Sequence, residues 1–421
     1  MLMKLKLPYG EKFLEVELPE DTAILRSAEA PAVKNVVEKI SGKLKSYRGF
    51  VNQSRRILIL IPDNTRAFPT RIVLPATLNF IEEFNPEARI RILIATGLHK
   101  PVSRDEVKKL VGEEIFHSYE IANHSAFDGD QIFRSGEKTS FGTPIEVNKL
   151  VYESDLVIGL GLIEPHFFAG YSGGRKIILP GIAGENAIFS NHGFRMIANP
   201  RARTGILEGN PVHEDMVEFV RKTRLDLIVN VTLNRRKEVT GVFVGDPVQA
   251  HLDGVRYLDK FVKVNFGREA DIVITTNGGY PLDRDVYQAV KGMDTATSVV
   301  RDGGVIIIAS ECRDGLGGHE ELLKLTTGAG GPDDILGRIR ENEPVYDQWQ
   351  AQILARALRR AKIILISEHI SERTAKNLLL ERAKDVEEAL EMAYSLLGRR
   401  RARIAVIPEG PYVIPVKGRA S

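Results

Sequence analysis

Short runs of apolar residues, each followed by a proline, a glycine or a polar turn, recur through the first half of the chain. They span Arg56 to Ile61, Ile90 to Thr96, Asp155 to Gly161 and Leu225 to Leu233. Runs of this length predict strands buried on both faces, whereas the helical spacing of apolar residues from Pro69 to Phe84 predicts a helix between two of them. Strands that alternate with helices indicate a mainly parallel sheet.

The alternation restarts after Phe266 and predicts a second, smaller α/β unit. Its predicted strands are Asp271 to Thr276, Val305 to Ala309, Lys362 to Ser367 and Arg403 to Ile407. A chain of 421 residues also exceeds the size at which one hydrophobic core stops growing. We therefore expect an α/β protein with an N-terminal domain over residues 1–266 and a smaller C-terminal domain over residues 267–421.

Composition narrows the possible functions. The 58 basic and 56 acidic residues give a net charge of +2 without a long block of one sign, which argues against nucleic-acid binding. Cys312 is the single cysteine, which excludes an internal disulfide framework and a cysteine-rich zinc site and fits a reducing cytoplasm. The N-terminus alternates apolar and polar residues like a strand pair, and no apolar run approaches the ~18 residues of a membrane span.

A glycine-rich segment from His166 to His192 fits no regular element. Its five glycines and one proline argue against a continuous helix, while two histidines and Lys176 lie among small residues where a backbone can approach a ligand. The segment begins where the predicted strand from Asp155 to Gly161 ends, and ligands of open α/β sheets bind at the carboxyl ends of strands. We expect a binding or catalytic site here.

Several side chains at predicted strand ends suit this chemistry, and each has a structural alternative. Arg66 offers a planar fork for a carboxylate or phosphate, although its turn with Asp63 also fits a surface helix cap. His99 and His166 suit acid–base catalysis, although a lone histidine is more often structural. Lys176 suits a nucleophile, a phosphate contact or a covalent tether.

Three further residues complete the set. His192 suits a metal ligand, and Gln288 and Lys291 share one face of a predicted helix, which alone also fits a solvated surface. Together these residues favour a functional site over separate structural roles, because strand ends that are distant in sequence converge in space. The segment Ser172 to Lys176 is not a Walker phosphate loop, and no glycine fingerprint of a dinucleotide-binding fold opens a helix.

The motifs that carry these residues resemble the nickel-dependent lactate racemase family, over most of the chain and in the same order. They are PDNTR at 62–66, GLH at 97–99, HFFAGYSGGRKIILPGIAG at 166–184, NH at 191–192 and GGYPLDRDVYQAVKGMDTA at 278–296. The resemblance implies two α/β domains with the active site in a cleft between them. It also implies an enzyme that inverts the C2 centre of lactate or another 2-hydroxy acid.

The resemblance further implies a cofactor and its ligands. Lys176 matches the lysine bonded through a thioamide to a nickel-pincer nucleotide, pyridinium-3-thioamide-5-thiocarboxylic acid mononucleotide. His192 matches the histidine that completes a roughly square-planar nickel site, a role that suits imidazole. Asp63 and the backbone near Ser172 and Gly173 match positions that hold the nucleotide.

The remaining matched residues act on the substrate. His99 and His166 match the two catalytic histidines, and the residues matched to substrate binding are Arg66, Gln288, Lys291 and Trp349. The implied chemistry avoids a carbanion beside an anionic carboxylate. One histidine takes the hydroxyl proton while the Cα hydride moves to the cofactor, and return of both to the other face of the planar 2-keto acid gives the other enantiomer.

Two other readings stay open at this point. One is a non-catalytic protein that binds a nucleotide or sugar acid with the same pocket, and the other is an NAD-dependent dehydrogenase, which the missing dinucleotide fingerprint disfavours. The expected partners are a small 2-hydroxy acid and the enzymes that build the cofactor, with no nucleic acid and no membrane. The motifs specify neither which 2-hydroxy acid is used nor the oligomeric state.

Overall fold

A computed structural model describes residues 2–418 and divides the chain into two compact units. The larger unit is Glu29–Phe261, and the smaller unit combines the residues up to Ala28 with those from Val262 onward. Within the described residues the strands are β1 (Leu2–Tyr9), β2 (Lys12–Pro19), β3 (Ala23–Ile24), β4 (Arg56–Pro62), β5 (Arg89–Ala95), β6 (Glu120–Asn123), β7 (Ile132–Lys138), β8 (Pro144–Asn148), β9 (Leu156–Leu162), β10 (Pro165–His166), β11 (Gly170–Tyr171), β12 (Leu227–Leu233), β13 (Val239–Gly245), β14 (Lys263–Phe266), β15 (Ala270–Thr276), β16 (Val300–Ala309), β17 (Ala361–Ile366), β18 (Glu381–Ala383), β19 (Ile404–Ile407) and β20 (Ile414–Lys417).

The α-helices of the same residues are α1 (Val36–Leu44), α2 (Arg48–Gln53), α3 (Thr70–Phe84), α4 (Arg104–Val111), α5 (Glu113–Ser118), α6 (Leu150–Glu153), α7 (Glu185–Asn191), α8 (Phe194–Ala198), α9 (Pro211–Lys222), α10 (Gln249–Val262), α11 (Val286–Thr297), α12 (Glu320–Thr326), α13 (Pro332–Glu341), α14 (Gln348–Arg360), α15 (Glu372–Asn377) and α16 (Val386–Leu397). Short 3₁₀ turns occupy Lys45–Tyr47, Gly174–Ile177 and Gly410–Tyr412. None of the described helices combines the length and the apolar character that crossing a membrane requires.

The larger unit is built on a six-stranded sheet in the order β13-β12-β9-β4-β5-β6. All neighbouring pairs are parallel except β12 with the edge strand β13. Every residue of β9 is buried, as a strand covered on both faces requires. The continuous apolar runs of the sequence therefore correctly predicted the central strands and the mainly parallel sheet.

Three neighbouring strands of this sheet lead into the predicted site. Strands β5, β4 and β9 lie side by side and parallel, so their carboxyl ends meet at one edge of the sheet. Asp63 follows β4, His99 follows β5, and the glycine-rich segment follows β9. The fold thus brings residues that are about a hundred positions apart to the edge at which α/β proteins bind ligands.

The smaller unit holds a second six-stranded sheet in the order β18-β17-β16-β15-β19-β3, in which every neighbouring pair is parallel. The sequence-based division at residue 266 placed the N-terminus with the other domain. In the structure β3 pairs with β19, and the hairpin of β1 and β2 buries Leu7 and Leu18 against Ile272 and Ile274. Apolar burial and strand pairing thus join the first 28 residues to the C-terminal half.

Candidate active site

The glycine-rich segment folds into a tight hairpin followed by short helical turns. Strands β10 and β11 pair antiparallel, with His166 opposite Gly170, and Lys176 lies in the 3₁₀ turn that follows. Gly170 has a φ of 78°, and a Cβ there would lie 2.3 Å from the carbonyl oxygen of Ile206, so only glycine fits. Helix α7 then ends at Asn191, and His192 caps it by donating its N–H to the carbonyl of Ile188 at 2.8 Å.

The ring of Phe168 brings the three predicted chemical groups of this segment together. Its centroid lies 4.6 Å from that of His166 and 5.0 Å from that of His192, both in edge-to-face contacts. The Nζ atom of Lys176 lies 5.8 Å from the same centroid. Phe168 itself is buried, so this arrangement is part of the core of the segment and not a chance surface contact.

The electrostatics of this cluster favour a neutral imidazole at His192. Burial and the neighbouring positive charge of Lys176 hold the pKa of His192 well below its usual value of 6.5. A neutral ring is the form of histidine that binds a metal ion. His166 is also buried, and its Nδ1 accepts a hydrogen bond from the N–H of Ala169 at 3.3 Å.

Asp63 and His99 form a directly bonded pair at the ends of β4 and β5. Oδ2 of Asp63 lies 2.7 Å from Nδ1 of His99, and its Oδ1 accepts from the N–H of Thr65 at 3.1 Å. Burial opposes ionisation of Asp63, but the bonds from His99 and Thr65 and the charge of Arg66 outweigh it and lower the pKa of Asp63. An ionised carboxylate can only accept, so Nδ1 of His99 is the donor in this bond and Nε2 is left to meet other partners.

Arg66 remains accessible to a ligand, whereas Ser172 and Gly173 contact neighbouring parts of the chain. Arg66 lies 3.7 Å from a carboxylate oxygen of Glu164 and is about one-third exposed, so its guanidinium remains accessible. The hydroxyl of Ser172 donates to the carbonyl of Leu162 at 2.7 Å. A Cβ at Gly173 would lie 2.8 Å from the side chain of Asn230. Ser172 and Gly173 therefore help to build the turn that carries Lys176.

Sequence reasoning missed two buried residues that hold this turn. Arg175 donates to the carbonyls of Ala169 at 2.8 Å and of Gly173 at 3.3 Å, and burial lowers its pKa to about 9. Asn230 on β12 accepts from the N–H of Gly174 at 2.7 Å. Little in the sequence indicated this structural role of Arg175, because a basic residue beside Lys176 also suits a second phosphate contact.

The remaining predicted residues lie in the smaller unit. Helix α11 begins after Asp285, which accepts from the N–H of Gln288 at 2.7 Å, and Nζ of Lys291 donates to Oε1 of Gln288 at 2.6 Å. The two side chains thus share a helix face, as their spacing predicted. Trp349 on α14 is buried and donates from Nε1 to the hydroxyl of Tyr287 at 2.8 Å.

Models of two domain families match the chain, the lactate racemase N-terminal domain over residues 9–205 and the lactate racemase C-terminal domain over residues 266–415. A lactate racemase from Thermoanaerobacterium thermosaccharolyticum is 39% identical over 427 aligned positions, which cover 98% of this chain and 99% of that protein. A lactate racemase from Lactiplantibacillus plantarum is 38% identical over 401 positions, covering 94% of this chain and 91% of that protein.

Solved structures agree with these matches. The structure of the lactate racemase apoprotein from Thermoanaerobacterium thermosaccharolyticum superposes with a TM-score of 0.93 at 38% identity and covers 99% of this chain and 100% of that one. A crystal structure of a Thermotoga maritima protein gives a TM-score of 0.71 at 18% identity over 93% of this chain and all of that one, a likeness of fold alone. Domain models, sequence identity over nearly the full length and the fold agree, and the chain belongs to the lactate racemase family.

Proposed function

We propose that this protein is a racemase that interconverts the enantiomers of lactate or a closely related 2-hydroxy acid. The observation that carries the proposal is the gathering of His166, Lys176 and His192 around the ring of Phe168, beside the sheet edge that bears the Asp63–His99 pair. Membership of the lactate racemase family supports the same activity, since both relatives named above are lactate racemases.

The residues of the glycine-rich segment fit a nickel-pincer nucleotide. Lys176 is half-buried in a rigid turn, where a covalent bond to a cofactor would fix the position of that cofactor. His192 is buried and neutral near Lys176, as a nickel ligand at neutral pH should be. When bound, such a cofactor supplies an acceptor and donor for the hydride of the substrate Cα.

The chain itself supplies acid–base groups and substrate contacts. In this proposal Nε2 of His99 takes or returns the hydroxyl proton of one enantiomer while Asp63 holds the ring, and His166 does the same for the other enantiomer. The charged fork of Arg66 suits the substrate carboxylate, and the family resemblance supports substrate-binding roles for Lys291 and Gln288 in the smaller unit. Trp349 packs against the rest of the substrate.

The experiment that tests the proposal uses protein co-expressed with the enzymes that build the cofactor. Intact mass and nickel analysis should detect a covalent adduct and nickel, and either pure enantiomer of lactate should convert to the racemate. Lys176→Ala should lose the adduct, because the tether is gone. His192→Ala should keep the adduct but bind nickel poorly.

Exposed residues of the same unit provide the controls. Lys138→Ala and His117→Ala remove the same side chains from the surface and should leave adduct, nickel and activity unchanged. Equal adduct mass in Lys176→Ala and in the wild-type protein would contradict the assignment of the tether. Adduct and nickel without interconversion of lactate or any related 2-hydroxy acid would favour a binding protein instead.

A further inference from the structure

The smaller unit contains an Asp–His pair with a buried carboxylate, to which the proposed function gives no role. Asp347 is 1% exposed, and its Oδ2 lies 2.8 Å from Nδ1 of His319. The imidazole of His319 stacks on the ring of Tyr287 at a centroid distance of 3.7 Å and an interplanar angle of 11°. Tyr287 precedes Gln288 on α11 and accepts the hydrogen bond from Nε1 of Trp349.

Asp347 differs from other aspartates at the same helical position. It occupies the N-cap of α14 but makes no side-chain capping bond, and its backbone is left-handed, with φ 64° and ψ 0°. Asp285 and Asp385, at the N-caps of α11 and α16, are extended and accept a backbone N–H in the usual way. Asp347 thus gives up helix capping and bonds to His319 instead.

This geometry leaves the start of α14 without the side-chain capping bond that an aspartate usually makes there. The second oxygen of Asp347, Oδ1, is buried and has no hydrogen-bond partner among the described residues. A left-handed aspartate and an unsatisfied buried oxygen are both unfavourable for folding, and such departures concentrate at functional sites. The structure therefore retains the Asp347–His319 bond despite its cost.

We propose that His319, held by Asp347, is a positioning residue that fixes the indole of Trp349 for substrate through the ring of Tyr287. Each link is a direct contact: Asp347 orients the imidazole, the imidazole stacks on the Tyr287 ring, and the Tyr287 hydroxyl accepts from Trp349. The side chain of Gln350 also donates to the carbonyl of Tyr287, which ties α14 to α11 at the same point. The inference rests on the proposed role of Trp349 at the substrate.

The chain offers a direct readout, because Trp349 is its only tryptophan. Fluorescence of the full-length protein without cofactor, excited at a wavelength that the 11 tyrosines do not absorb, therefore reports the surroundings of this side chain alone. His319→Ala removes the stacked ring, and Asp347→Gly removes the carboxylate while keeping a residue that accepts the left-handed backbone. Both should shift the emission to longer wavelength and raise the acrylamide quenching constant about two-fold, as expected for a loosened local structure.

A conservative variant and a matched control separate positioning from stability. Asp347→Asn keeps an acceptor oxygen for Nδ1 and tolerates the left-handed backbone, so it should retain the wild-type emission. Asp385→Ala removes a helix-capping aspartate from the same unit and should lower the melting temperature without moving the emission. If His319→Ala does not fold, Asp347→Gly decides the question.

Kinetics of the cofactor-loaded enzyme complete the test. His319→Ala and Asp347→Gly should raise KM for lactate about five-fold, because a loosened indole gives up part of its contact with the substrate, with a smaller effect on kcat. Wild-type emission in both variants would overturn the proposal, and so would an equal shift in Asp385→Ala or an unchanged KM despite shifted emission. Failure of the proposed function would appear differently, as a wild-type protein without adduct or racemase activity.

Discussion

The two proposed catalytic histidines lie in opposite surroundings. His99 has a side chain that is 46% exposed and is held by one short hydrogen bond to a buried carboxylate. His166 is 9% exposed and is held by aromatic rings, with Phe167 stacked at 4.9 Å and Phe168 edge-on at 4.6 Å. One ring is thus oriented by charge and the other mainly by packing.

The difference follows from where each histidine lies in the fold. His99 follows β5 and reaches Asp63, which follows the neighbouring strand β4, so two parallel strand ends supply the pair. His166 lies in a two-residue strand whose hairpin folds back on itself, and its neighbours in sequence become its neighbours in space. The proposed function thus assigns the same chemical role to two histidines in different surroundings.

The largest expected effect is the loss of either histidine. His99→Ala and His166→Ala should each lower racemisation in both directions by about 100- to 10,000-fold, because the proposed mechanism needs one acid–base group for each enantiomer. Each variant should still oxidise one of the two enantiomers to the keto acid. Rapid mixing of cofactor-loaded His99→Ala with one enantiomer should give a single-turnover burst of keto acid, with the bound cofactor as hydride acceptor, and cofactor-loaded His166→Ala should give its burst with the other enantiomer.

The burst experiment also tests whether the two surroundings matter. His117→Ala, which removes an exposed histidine of the same unit, should behave like the wild-type enzyme. Identical bursts from both enantiomers in both catalytic variants would mean that His99 and His166 do not serve separate faces.

A smaller effect is expected when only the support of His99 is removed. Asp63→Asn keeps an acceptor oxygen for Nδ1 but removes the negative charge, so the ring is no longer stabilised when it takes a proton. Turnover of the enantiomer served by His99 should fall about 10- to 100-fold, with less change for the other enantiomer in single-turnover experiments. An equal loss for both enantiomers would show that Asp63 acts elsewhere, for example on the nucleotide.

The same variant should change the acid stability of the protein. The pKa of Asp63 is lowered in the folded chain, so its ionised form stabilises the fold above the ordinary carboxyl pKa of 3.8, and this contribution is lost as the pH falls through the lowered value. The wild-type protein should therefore lose more free energy of unfolding than Asp63→Asn between neutral pH and about pH 3. Urea unfolding at both pH values measures the difference.

The fold could be predicted from the sequence where the signal was local. Continuous apolar runs predicted β4, β9 and β15 to within a residue or two. No local pattern could assign the first 28 residues to a unit, because the assignment depends on the pairing of β3 with β19, which is distant in the sequence. Hydrophobic periodicity describes an element but does not say which sheet it joins.

The candidate site shows the same limit at the level of side chains. His166, Lys176 and His192 were identified from their residue types and motif spacing, and the spacing of Gln288 and Lys291 predicted their shared face. The packing of Phe168 between three of these residues and the bond of Asp63 to His99 were not predicted. Both depend on side-chain directions that only the folded backbone fixes.

The smallest expected effects concern Arg66 and its neighbour Glu164 at the more exposed end of the site. Arg66→Lys keeps the charge but lacks the planar fork, so KM for lactate should rise about five- to ten-fold with little change in kcat.

Glu164 lies 3.7 Å from Arg66, and both side chains are partly exposed, so this ion pair contributes little to stability and mainly competes with a substrate carboxylate. Glu164→Gln should then lower KM by at most about three-fold, and this gain should vanish at high salt, where the competing attraction is screened. Arg134→Lys, on the exposed strand β7, serves as the matched control and should leave KM unchanged. A KM for Arg66→Lys equal to that of the wild-type enzyme would remove Arg66 from the carboxylate site, and a raised KM in Glu164→Gln would mean that Glu164 orients Arg66 instead of competing for it.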